Sequence, residues 1–175
     1  EEIDEEEAPL NNGDVSVFLR LGSDYTTNFY EYEIPLIITN WGESDPELVW
    51  PSENEFNIPF TLLQEVKQMR NDILNDSGNM QVNSYSDLYE YMDGVNRVSI
   101  LGNPNLGDIS SIMIGIRNNQ TESDPSSKSV EIWVNELRLT DFNEKGGWAT
   151  RMQMKMGLAD FGSLAFAGSI SSVGF

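Results

Sequence analysis

From Trp148 to Leu158 the chain alternates strictly. Trp148, Thr150, Met152, Met154, Met156 and Leu158 hold the even positions; Ala149, Arg151, Gln153, Lys155 and Gly157 lie between them. A period of two, greasy on one side and polar on the other, is that of a β-strand whose faces meet different surroundings. Eleven residues also suit a tilted strand crossing a bilayer. After a tight turn at 160–163 the pattern returns, with Leu164, Phe166 and Ile170 on one face and Ala165, Ala167, Ser169 and Ser171 on the other. The spacing predicts a hairpin of the transmembrane β-barrel type over 148–175. Lipid cannot hydrate a cation, so Trp148, Met152, Met154, Met156 and Leu158 are expected to face lipid. Arg151, Gln153 and Lys155 are then expected to face a water-filled lumen.

Upstream the pattern is that of a β-domain. Residues 1–14 form an acidic, turn-like linker ending in Asn11-Asn-Gly-Asp14. Strands are predicted at 15–21, 29–38, 95–101, 111–117 and 130–139, each short, alternating and bounded by Gly, Pro, Asn or Asp. Pro35 should place the second at a sheet edge or break it in two. Residues 39–57 read as loop and 118–128 as a polar loop. Thr61 suits a helix N-cap with Gln64 as its capping-box partner, and Leu62, Val66, Met69 and Ile73 predict an amphipathic helix over 62–74. The Asn75–Gly78 cluster should stop it. Tyr85–Met92 suits a second short helix, whose Tyr85, Tyr89 and Met92 would pack on the sheet. The fold class expected is mainly β: an antiparallel, jelly-roll-like β-sandwich over 15–140 with one amphipathic helix, then a turn-rich junction at 141–147 and the hairpin.

Composition narrows the chemistry. The 175 residues contain no Cys and no His. Thiolate metal sites, disulfides and the commonest general base and zinc ligand are therefore ruled out. The net charge is −19, with six acids in the first seven residues and the rest spread along the chain. Nucleic acid and anionic membrane surfaces are poor partners for such a field. The first residues carry neither the basic start nor the apolar run of a secretory signal, and no segment has the apolar length of a membrane helix. A chain without an initiator Met that ends amid strand-like sequence reads as a piece of a longer one.

Candidate sites are few. Glu31 and Glu33 share a strand face, as a glycosidase pair could, but 29 acids make such pairs common by chance. Ser and Thr hydroxyls have no His to activate them, so no enzyme is expected. Asp24, Glu31 and carbonyls of the 22–28 turn could offer oxygen ligands to calcium, although EF-hand spacing is absent. Trp41, Trp50, Tyr25, Tyr30 and Tyr32 could line the concave face of a non-catalytic carbohydrate-binding jelly-roll module of a cell-surface protein. Trp133 is out of phase with Val130, Ile132 and Val134, and is expected to be an exposed anchor for a partner.

One stretch carries a specific resemblance. Lys128-Ser-Val-Glu-Ile-Trp-Val-Asn-Glu-Leu-Arg-Leu-Thr-Asp-Phe-Asn-Glu-Lys-Gly-Gly-Trp-Ala149 resembles the corresponding run of the SprA/Sov proteins, giant outer-membrane translocons of type IX secretion and gliding motility. Leu21–Leu36 and Ile114–Asn118 are similar to that family as well. The resemblance spans the chain from about Val15, outside Trp41–Tyr91. It implies a segment of a very large single-chain barrel through which folded cargo leaves the periplasm of a Gram-negative bacterium. The part up to Thr140 would be a soluble domain, periplasmic or extracellular, and 148–175 barrel wall. Implied partners are the rest of the translocon chain, other secretion-system subunits, secreted cargo and outer-membrane lipid. No catalytic residue or cofactor is implied.

Overall fold

The structure, a computed structural model, describes residues 10–76, 81–119, 127–140, 148–157 and 163–172. Most of the expected linker, the 141–147 junction, Leu158 and the 160–162 part of the expected turn lie outside the described residues. The chain divides into two compact units, Glu1–Val130 and Glu131–Phe175, each described here by itself.

In the first unit the elements run β1 (Val15–Gly22), β2 (Phe29–Pro35), α1 (Pro46–Val49), a 3-10 turn (Ser52–Asn54), α2 (Phe60–Asn75), β3 (Tyr89–Asp93), β4 (Asn96–Leu101) and β5 (Ser111–Asn118). The strands form one antiparallel sheet in the order β3-β4-β2-β1-β5. β2 is central and ends at Pro35, which has no N–H to continue a ladder; Leu36 N–H then returns to the Val15 carbonyl at 2.9 Å. Pro35 therefore terminates the strand and does not mark an edge.

Alternate residues of the strands build the core. Leu19, Leu21, Tyr30, Tyr32, Ile34, Val98 and Ile100 share one face, and Leu63 and Val66 of α2 pack on it. Burying one such side chain contributes about 1.5–3 kcal/mol. The helix falls where expected, but it starts at Phe60 after Pro59, and no side chain caps it. Its inward face is Leu63, Val66 and Arg70, while Met69 is 40% exposed. Of the expected face, Val66 is buried and Leu62 packs at the edge of the core, whereas Arg70, absent from that pattern, takes an inward position. It lies fully buried, donating to the Gly102 carbonyl and Asn71 Oδ1 and stacked on Tyr85 at 4.8 Å.

Two further expectations are corrected. The region 85–92 is not helical: β3 starts at Tyr89 and turns through Gly94, at φ 66°, into β4. Tyr89 and Tyr91 alternate onto the core, so the period of two prevails over the helical spacing of Tyr85 and Tyr89. Residues 130–139 form no strand. Alternation marks strand propensity, but a strand exists only when paired, and among the described residues nothing pairs with this segment.

The second unit holds a hairpin of β6 (Trp148–Gly157) and β7 (Ser163–Ser172). Antiparallel sheets throughout make the chain mainly β and β-sandwich-like in class, as expected.

Candidate functional site: a charged sheet face and an amphipathic hairpin

The sheet face opposite α2 is built from ions. Register sets Arg20 of β1 across from Glu31 of β2, and Arg97 of β4 across from Glu33. On β5, Arg117 lies across from Ser16. Glu31 and Glu33 are only 3% and 4% exposed. Two like charges two residues apart on one strand need cations over them, and three arginines supply these. Arg20 Nε meets Glu31 at 2.5 Å and Arg97 Nη2 meets Glu33 at 2.5 Å. Arg117 bridges both acids, with Nη2 at 3.0 Å from Glu31 and Nη1 against Glu33. That Nη1 contact is an ion pair without hydrogen-bonding alignment. The Ser16 hydroxyl also donates to Glu33, and Arg97 reaches Glu90 of β3 at 3.3 Å.

Aromatic rings pack against two of the guanidiniums. Arg20 lies 4.1 Å from the Phe29 ring centre and 5.1 Å from that of Phe18, which Arg117 covers at 4.9 Å. The Phe18 ring spreads over Gly115 on β5, where any Cβ would overlap it. A shallow concavity of about 500 Å³ opens over this face, lined by Arg20, Phe29, Glu31, Glu90, Arg97 and Arg117 among others. The carboxylates of Glu31 and Glu33 are thus committed to arginines. The arginines were not legible as their partners, because cross-strand pairing depends on a register that sequence spacing does not disclose.

Asp24 is engaged elsewhere. It accepts from the backbone N–H groups of Thr26 at 2.7 Å and Thr27 at 2.6 Å, and from both threonine hydroxyls. These bonds, led by the Thr27 N–H, hold its carboxyl well below the ordinary carboxylate range. The Tyr25 carbonyl accepts from Arg20 at 2.7 Å. Asp24 and Glu31 thus each hold hydrogen-bond or ion-pair partners of their own. Among the described residues no group of three or more acids is placed to hold a metal ion.

The five rings considered for a sugar platform are divided. Tyr30 and Tyr32 are buried in the core on the α2 side, their hydroxyls donating to the Pro104 carbonyl and to Asp93, each at 2.9 Å. Tyr25, Trp41 and Trp50 are exposed. Trp133 is 74% exposed and donates to Glu131 at 2.7 Å, though without the strand from which its exposure was argued.

In the hairpin, Met152 pairs with Gly168, Met154 with Phe166 and Met156 with Leu164. On the alternate face Arg151 pairs with Ser169, Gln153 with Ala167 and Lys155 with Ala165. Directly opposed residues of an antiparallel pair share a face, so one face is greasy across both strands and the other polar. Met152, Met154, Met156, Phe166 and Ile170 are all exposed. Of the expected lipid-facing set, Trp148 pairs with Ser172 at the end of the ladder.

An antiparallel sheet with a charged face and an amphipathic hairpin of two ten-residue strands define a mainly β protein that presents surfaces. The family described as motility-related/secretion protein, the N-terminal region of SprA, matches residues 3–175, and the chain belongs to that family. It is a segment of a protein concerned with motility or secretion, as the resemblance over 128–149 implied. No curated protein matches the chain. No helix among the described residues is long and apolar enough to cross a membrane, which leaves crossing by strands open.

Proposed function

We propose that this chain is a structural segment of an outer-membrane secretion translocon of the type IX kind. The first unit is a β-domain outside the bilayer, and β6 and β7 are strands of barrel wall around a path for folded cargo. The observation that carries the reading is the register of the hairpin in a chain of this family. Ten residues per strand span roughly 33 Å, which at the usual tilt crosses the hydrocarbon layer. The greasy face meets lipid, and Arg151, Gln153 and Lys155 line the lumen. The role is not enzymatic and needs no cofactor; the partners are the remainder of the translocon, other secretion-system subunits and cargo. Depletion of the full-length protein tests this: folded cargo should accumulate in the periplasm. Cargo that still reaches the cell exterior at the normal rate would sink the reading.

A further inference from the structure

We propose that the connection from β2 to α2 is a docking element for a basic protein surface, with Trp41 and Trp50 as its anchors. Trp41 is fully exposed, and Leu48 and Trp50 are more than half exposed. Large apolar side chains gathered on one exposed loop mark partner sites, and Trp leads the residue types that dominate binding energy.

The loop is ordered before any partner arrives. Asn54 closes on Ile37 from both sides, accepting from its N–H at 2.8 Å and donating to its carbonyl at 2.8 Å. Asp45 caps α1 by accepting from the Glu47 N–H at 3.0 Å, and Glu43 accepts from the N–H groups of Ser44 and Asp45. The Thr39 hydroxyl donates towards the carbonyls of Leu48 and Val49, each at 3.4 Å. This neck ties the two arms of the loop together. Trp41 and Trp50 leave it after one or two residues, so their Cα atoms lie within about 20 Å of each other. A backbone ordered in advance loses less freedom on binding than a floppy loop would.

Charge selects the partner. Glu43, Asp45, Glu47, Glu53 and Glu55 lie in the same segment as the two indoles, and residues 36–58 contain no Lys or Arg. Anionic lipid head groups are repelled by this field, as is a second copy of a chain carrying −19. A protein surface with Lys or Arg around an apolar pocket satisfies both features, because a cation also binds the face of an indole. This proposal is independent of the translocon reading.

The test is site-specific photocrosslinking in cells, with p-benzoylphenylalanine replacing Trp41 in the full-length protein. One crosslinked protein is expected, with the attachment mapping beside Lys or Arg. Glu47→Gln together with Glu55→Gln removes two acids that cap nothing, and should lower the yield about five-fold. Trp50→Ala should lower it as well. Crosslinks to lipid, to glycan or to a second copy, a yield indifferent to the charge change, or no crosslink at all would overturn the proposal.

Discussion

Glu33 shows how this sheet tolerates buried charge. Its carboxylate meets Arg97, Arg117 and the Ser16 hydroxyl while almost wholly out of water. Deleting one partner of such a group strands the others, which costs far more than the net gain from forming the pair. Glu33→Ala should therefore lower stability by about 3 kcal/mol, read from the urea midpoint at unchanged slope. A loss below about 1 kcal/mol, the value of an exposed pair, would show that the network is ornamental. Acid sensitivity has a different source. The carboxyls of Asp14, Asp24 and Glu43 are lowered, chiefly by backbone N–H donors. A lowered pKa gives stability that is complete above the unfolded value of about 4 and lost as pH falls below it. Burial raises the phenols of Tyr30, Tyr32 and Tyr89, so their contribution is complete below about pH 10 and lost above it. Thermal unfolding should thus show a plateau with two falling limbs. Asp24→Asn should flatten the acid limb, because the amide still accepts at Oδ1 but does not titrate; an unchanged limb would remove Asp24 from the account. Of this residue-scale detail the sequence disclosed that Glu31 and Glu33 share a face, since that needs only alternation. The arginines stayed hidden because they come from three other strands.

Elements were legible to the extent that their signals were local. α2 fell where its spacing put it, with Val66 and Leu62 on the core side as expected, but Met69 is exposed and Arg70 takes an inward place that an apolar pattern cannot register. β1, β2, β4 and β5 followed from alternation, whereas residues 130–139 carry the same alternation without a strand. β5 also shows what pairing alone leaves undone. Ile112, Ile114 and Ile116 share the core face with Leu21, Leu19 and Val17, yet all three are exposed because α2 packs against β4. The hairpin makes a sharper claim, since adjacent residues of β6 should respond oppositely to the same change. In lipid, Met154→Arg should cost about 2–4 kcal/mol near the bilayer midplane, whereas Gln153→Arg on the polar face should cost little. The amount of assembled, heat-modifiable barrel in the full-length protein measures this. Equal effects at the two positions would mean that neither face meets lipid.

For the whole molecule the decisive property is the contrast between its units. The first buries a core on one side of its sheet and pairs its charges on the other; the second exposes methionines and phenylalanine on one face of an open hairpin. A net charge of −19 disfavours contact with anionic surfaces, whereas the charged residues of β6 are both cations, Arg151 and Lys155. Composition made the acidity plain, and alternation made the hairpin plain; the paired charges of the sheet face needed the register. The central claim is that the greasy face of the hairpin lies against lipid. Single cysteine substitutions test it in the full-length protein in intact outer membranes: Met152→Cys, Met154→Cys and Met156→Cys on one face, Arg151→Cys, Gln153→Cys and Lys155→Cys on the other. A water-soluble maleimide should label the second set strongly and the first set weakly. Strong labelling of the methionine positions, with none at Arg151, Gln153 and Lys155, would contradict the account.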